Sequence, residues 1–121
     1  MIPLFNFFFS EEFRSVLGEV NISCINYTES YIKLSDSFAH FTKSNNELKS
    51  LMDQGYNTND PIVINARNKV IENKNIFDFH NKKSLNETAN MGNSFQNFDS
   101  LCKESGINSP TLNEMNKKGL A

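Results

Sequence analysis

The side chains able to do chemistry are few and lie far apart. The histidines are His40 and His80, and the cysteines are Cys24 and Cys102. A zinc site needs donors that converge within about 2.0–2.3 Å of one ion, and closely paired spacings usually supply them. These residues occur singly, so the sequence predicts no metal and gives no support to a Cys–His nucleophile. Glu11-Glu12 are adjacent carboxylates, but they follow Ser10 and precede an apolar-periodic stretch. That marks a helix start, with a capping hydroxyl and negative charge at the positive end of the helix dipole, before it marks an acid–base pair. No glycine-rich phosphate loop, His-Glu-x-x-His motif or calcium-loop spacing is present. The reading is a non-enzymatic chain that needs no cofactor.

Charge narrows the partners. The net charge is -2, and the basic residues are dispersed among acidic ones. A nucleic-acid binder shows a basic face or stripe. Arg67, Lys69, Lys74, Lys82 and Lys83 do not collect on one face of a helix, so nucleic-acid binding ranks last. The 19 Asn residues, with Lys and Ser, are what an AT-rich coding genome supplies, and they point to a bacterial or phage source. They also make the three Asn-x-Ser/Thr triplets, at 21, 26 and 86, chance matches to the glycosylation pattern. No run reaches the roughly 18 apolar residues of a membrane span. Residues 1–9 lack the basic start and small-residue cleavage site of a signal peptide, and the expected compartment is the cytoplasm.

The elements that must position these side chains are helical. From Phe13, alternating steps of four and three give Phe13, Leu17, Val20, Cys24, Tyr27, Tyr31, Leu34, Phe38, Phe41, Asn45, Leu48 and Met52. Only Asn45 breaks that apolar row, which has the 3.5-residue period of a packed helical seam. It predicts a long helix over about 10–54, with Gly18 the place for a kink and 20–27 carrying some strand-like alternation. Gly55 supplies a left-handed stop, and Asp60-Pro61 a cap and first helical position. An antiparallel partner is expected over about 61–81, with Ile62, Val63, Ala66, Val70, Ile71, Phe77 and His80 facing the first helix, and with Ile76 and Phe79 widening that face. Ser84-Leu85-Asn86-Glu87 fits a capping box and predicts a restart. A third helix then spans about 85–105, through Leu85, Thr88, Met91, Phe95, Phe98, Leu101 and Cys102, and stops at Gly106. A tail, 106–121, holds a short helix at about 110–117. The class is all-α, one domain over 1–121 folded as a small bundle, with an apolar N-terminal arm at 1–9.

A second helix of 61–81 leaves the N-terminal half of the seam uncovered. The arm beside it is rich in phenylalanine, and exposed apolar clusters of that kind mark interaction sites. The expected interface with a protein partner or a second copy, a dimer first, is therefore Phe5, Phe7, Phe8, Phe9, Phe13, Leu17, Val20, Tyr27 and Tyr31. Contact of the arm with a membrane ranks below that. The functional expectation is a protein–protein interaction module: an adaptor, a chaperone or an inhibitor. The alternative is a structural helical-hairpin subunit of a secretion or virion assembly. The stretch 43–80, with its Asn59-Asp60-Pro61 turn, resembles such hairpins in outline, without a motif specific to them.

Overall fold

A computed structural model describes residues 10–106, and these are all-helical. Two long helices carry the fold: α1, Glu11–Asp53, and α2, Pro61–Glu104. Each terminus has a local cause. The Phe13 amide donates to Ser10 Oγ at 3.2 Å, capping α1. Gly55, at φ 85°, ends α1 in the left-handed region, and its amide donates to the Met52 carbonyl at 3.0 Å. The Ile62 amide donates to Asp60 Oδ1 at 3.0 Å, so Asp60 caps α2 ahead of Pro61. Gly106, at φ 70°, closes α2, with its amide donating to the Lys103 carbonyl at 3.1 Å. The expected stops and starts at these four places are all observed.

The described chain divides into two compact units. One joins residues up to Ile25 with those from Ala89 onward, and the other is Asn26–Thr88. In the Asn26–Thr88 unit the two helices run antiparallel around the 54–60 turn. The Phe77 ring lies 5.7 Å from Phe38 and stacks on Phe41 at 6.1 Å, and Asn73 Nδ2 donates to the His40 carbonyl at 3.4 Å. In the other unit the Phe13 ring packs against Phe98 at 6.0 Å.

Three sequence expectations need correction. First, the separate helices at 61–81 and 85–105 are one helix without a restart. Lys82-Lys83 contains neither glycine nor proline, so nothing stops the helix before Ser84. Ser84 is a buried seam residue, and its carbonyl accepts a bond from Thr88 Oγ1 at 2.8 Å. With it goes the expectation that the N-terminal half of α1 lacks a partner, because α2 extends far enough for Phe98 to meet Phe13. Second, α1 passes Gly18 without the break placed there, while 20–27 is helix as the seam predicts.

Third, the seam of α1 lies in a different register. The shared positions Phe13, Val20, Tyr27, Leu34, Phe41 and Leu48 are half-buried as expected. The other half of the seam is not Leu17, Tyr31, Phe38, Asn45 and Met52, which are exposed, with Cys24 half-buried. It is the set three residues after each shared position: Val16, Ser23, Ser30, Ser37, Ser44 and Leu51. The four serines are 3–6% exposed. Small side chains let helix axes approach closely, and the interaxial distance follows their size. Each hydroxyl is satisfied inside its own helix. Ser23, Ser30, Ser37 and Ser44 donate to the carbonyls of Val20, Tyr27, Leu34 and Phe41 at 3.0, 2.7, 2.8 and 2.8 Å. That removes most of the cost of burying them. On α2 the matching inward row in the Asn26–Thr88 unit is Val63, Ala66, Val70, Asn73, Phe77, His80 and Ser84, while Ile62, Ile71, Ile76 and Phe79 are exposed. Leu85 and Phe95, expected on the inner face of the third helix, are 63% and 39% exposed, and Thr88 is exposed too.

The arm at 1–9 and the tail helix at 110–117 lie outside the described residues. Among the described residues no helix is long and apolar enough to cross a membrane.

Candidate interaction surface

A residue three or four positions after a seam residue stands on the seam or beside it, and the choice of register decides which. Because the serines take the inner position of α1, the large side chains four after each shared position are turned to the flank. In the Asn26–Thr88 unit these are Tyr31, Phe38 and Met52, exposed by 55%, 56% and 43%. The same flank of α2 carries Ile64, Ile71 and Leu85, each also largely exposed. The opposite flank of α1 is charged: Glu29, Lys33, Asp36, Lys43 and Glu47 all face water. In antiparallel packing like flanks of the two helices share a side. The side with Tyr31, Phe38 and Met52 therefore carries Ile64, Ile71 and Leu85 together with Arg67, Lys74 and Asp78, and the side with the α1 charges also carries the exposed Ile62, Ile76 and Phe79. A shallow concavity of about 140 Å³ on the side with the α1 charges is formed by Asn26, Glu29 and Lys33 of α1 together with Lys83 and Glu87 of α2.

Of the residues expected at an interface, Phe13, Val20 and Tyr27 are half-buried on the seam. Leu17 and Tyr31 are exposed, and Tyr31 stacks against Tyr27 at 6.4 Å. Phe5, Phe7, Phe8 and Phe9 lie outside the described residues. Sequence reasoning missed Phe38, Ile71 and Leu85 as surface residues, because it placed them on inner faces, and it gave Ile64 no role. The signal that finds them is the heptad recurrence of serine at 23, 30, 37 and 44.

The reactive side chains do not converge. His40 is exposed, while His80 is half-buried, edge-on to Phe79 at 5.3 Å, with a buried Nδ1 that has no hydrogen-bond partner. Among the described residues no three His, Cys, Asp or Glu side chains are grouped to hold a metal ion. Neither cysteine is in a disulfide. Burial pushes the Cys102 thiol above its ordinary value, and the nearby Asp99 carboxylate pushes in the same direction. Asp99 also pairs with Lys103 at 2.9 Å, and that hydrogen bond holds the lysine ammonium up. This pair is largely solvent-exposed and spaced i, i+4, so it adds little to stability.

No protein-family model, curated protein or solved structure matches the chain. The surface therefore rests on its own physical chemistry.

Proposed function

We propose that the chain is a non-enzymatic protein–protein interaction module, an adaptor, chaperone or inhibitor of a partner protein, that works through exposed apolar helical surfaces. One observation supports this best: in the Asn26–Thr88 unit, Tyr31, Phe38, Met52, Ile64, Ile71 and Leu85 are exposed together on one flank, whose α1 face carries a single charge, Lys49. Scattered apolar side chains on a surface need no explanation, but a group of them on one flank with polar groups around it is the usual mark of a binding site. The arm residues Phe5, Phe7, Phe8 and Phe9 join this proposal on their composition.

The test is affinity capture from the source cells, comparing the wild-type chain with Tyr31→Ser/Phe38→Ser. The expected result is one or more proteins, a second copy of the chain included, retained by the wild type and lost by the variant. Identical capture by both would refute a role for this flank. A second reading, a structural subunit of a secretion or virion assembly, is favoured by the hairpin form of the unit. Growth of the purified chain into filaments or rings would select it over the first.

A further inference from the structure

We infer that the apolar flank of the Asn26–Thr88 unit is the docking site for a second copy of this chain, related by a two-fold axis close to Phe38. The inference rests on the interaction-module reading and names its partner. Three observations carry it.

The first is area. A buried tyrosine or phenylalanine removes about 150–250 Å² from water. Tyr31 and Phe38, exposed by 55% and 56%, therefore leave roughly 100 Å² each to be covered. Met52, Ile64, Ile71 and Leu85, exposed by 43%, 41%, 52% and 63%, add somewhat less apiece. The six together present on the order of 500 Å² of apolar surface. A standard interface covers about 800 Å² per partner, of which somewhat over half is non-polar. The flank matches that requirement.

The second is charge complementarity under a two-fold operation. Phe77 packs against Phe38, which fixes the level of Phe38 along α2. Lys74 and Asp78 sit one on each side of that level, on the same flank, and both are exposed. A two-fold axis through Phe38 exchanges their levels. Each Lys74 then meets Asp78 of the other copy, and the two Phe38 rings meet at the axis. A self-complementary patch of this kind is what a two-fold interface requires.

The third is the composition of the flank on α1. From Thr28 through Ser35, Thr42 and Asn45, the polar residues among the apolar ones are uncharged, and Lys49 is the sole charge among these positions within α1 of this unit. Two copies of the α1 half of this flank face each other without a row of like charges, and the α2 half adds Arg67 to Lys74 and Asp78. The opposite flank, with Glu29, Lys33, Asp36, Lys43 and Glu47, would have to desolvate five charges from each copy.

The experiment is sedimentation velocity on the full chain from about 1 to about 100 µM, a range that brackets a micromolar dissociation constant. Far-UV circular dichroism on each variant confirms that it is folded. The expected result is a reversible dimer. Phe38→Ser raises its dissociation constant at least about tenfold, as loss of a central aromatic does. Lys74→Glu breaks both symmetry-related pairs and raises it about tenfold. Adding Asp78→Lys to Lys74→Glu restores it to within about threefold of the wild type. Lys74 and Asp78 are exposed, so the charge swap remains decisive if Phe38→Ser fails to fold. A chain that is monomeric throughout overturns the inference. So does a dimer indifferent to both substitutions, or one that the charge swap fails to restore. In the monomeric case, capture of another protein that depends on Tyr31 and Phe38 leaves the interaction module standing, and absence of any such capture removes both.

Discussion

Substituting Ser37 by leucine separates the two possible registers of α1. Ser37 is 5% exposed, and its hydroxyl donates to the Leu34 carbonyl at 2.8 Å. Leucine brings two more heavy atoms to a place where the helices are spaced for serine. Overpacking of this kind costs about 1–3 kcal/mol, because neighbours leave their preferred rotamers or the helices part. Loss of the hydroxyl bond adds little, since the bond lies within one turn of one helix. The control is Ser37→Ala. It keeps the small volume and gains about 0.5 kcal/mol of helix propensity, so its net effect is within about 0.5 kcal/mol of zero. The assay is urea unfolding followed by far-UV circular dichroism, at one fixed protein concentration so that association does not shift the midpoint. The expected result is a lower midpoint at unchanged slope for leucine and little change for alanine. If the inner row were instead Leu17, Tyr31, Phe38 and Met52, Ser37 would face water. Ser37→Leu would then be neutral or slightly stabilising by propensity. A leucine variant as stable as the alanine one would refute the serine register.

The remaining predictions concern backbone and thiol. Leu85→Pro tests the continuity of α2: inside an uninterrupted helix it costs about 3 kcal/mol, whereas at the first position after a Ser84 cap it would be well tolerated. A variant melting within a few degrees of the wild type would restore the break at Ser84. Gly55→Ala meets no atom within 4 Å yet sits at φ 85°, so strain alone should lower stability by about 1–2 kcal/mol in chemical denaturation. Gly18→Ala, also with nothing within 4 Å but inside α1, should raise it by about 0.5–1 kcal/mol in the same measurement. Cys102, 4% exposed and with its thiol pKa raised, should react with a thiol reagent more slowly than half-buried Cys24, and at the same rate as Cys24 in denaturant. The raised value means that its contribution to stability is present below the ordinary thiol value of 9.0 and falls as pH rises beyond it. Cys102→Ala should therefore flatten the fall in melting temperature above that pH.

Much of the fold was legible because it is local. Ser10, Gly55, Asp60-Pro61 and Gly106 act through their own amides, hydroxyls and φ angles, and they appear where spacing places them. The register was not, for a physical reason. Positions three and four after Phe13, Val20 or Tyr27 lie on either side of the same stripe, and hydrophobicity favours the larger side chain. Packing favours the smaller one here, and a serine that bonds to its own helix is less polar than its name suggests. The restart at Ser84 failed for a related reason. Ser84 and Glu87 match a capping box in type and spacing, but such a match starts a helix only where the preceding one has ended. The surface followed from the register: once serine holds the inside, Tyr31 and Phe38 must be outside.

The turn closed by Gly55 and Asp60 also sets an order of assembly. In the Asn26–Thr88 unit the span of chain enclosed by each cross-helix contact grows steadily with distance from that turn, and reaches 33 residues at the Asn73–His40 bond. Closure entropy rises only as the logarithm of that span, so each layer added beyond the turn is little harder to close than the last. The unit is thus built to form as a zipper, with Leu51 and Val63 among the first side chains to meet and Tyr27 among the last. Kinetic stability would then be governed at the far end of the zipper, and folding speed at the turn.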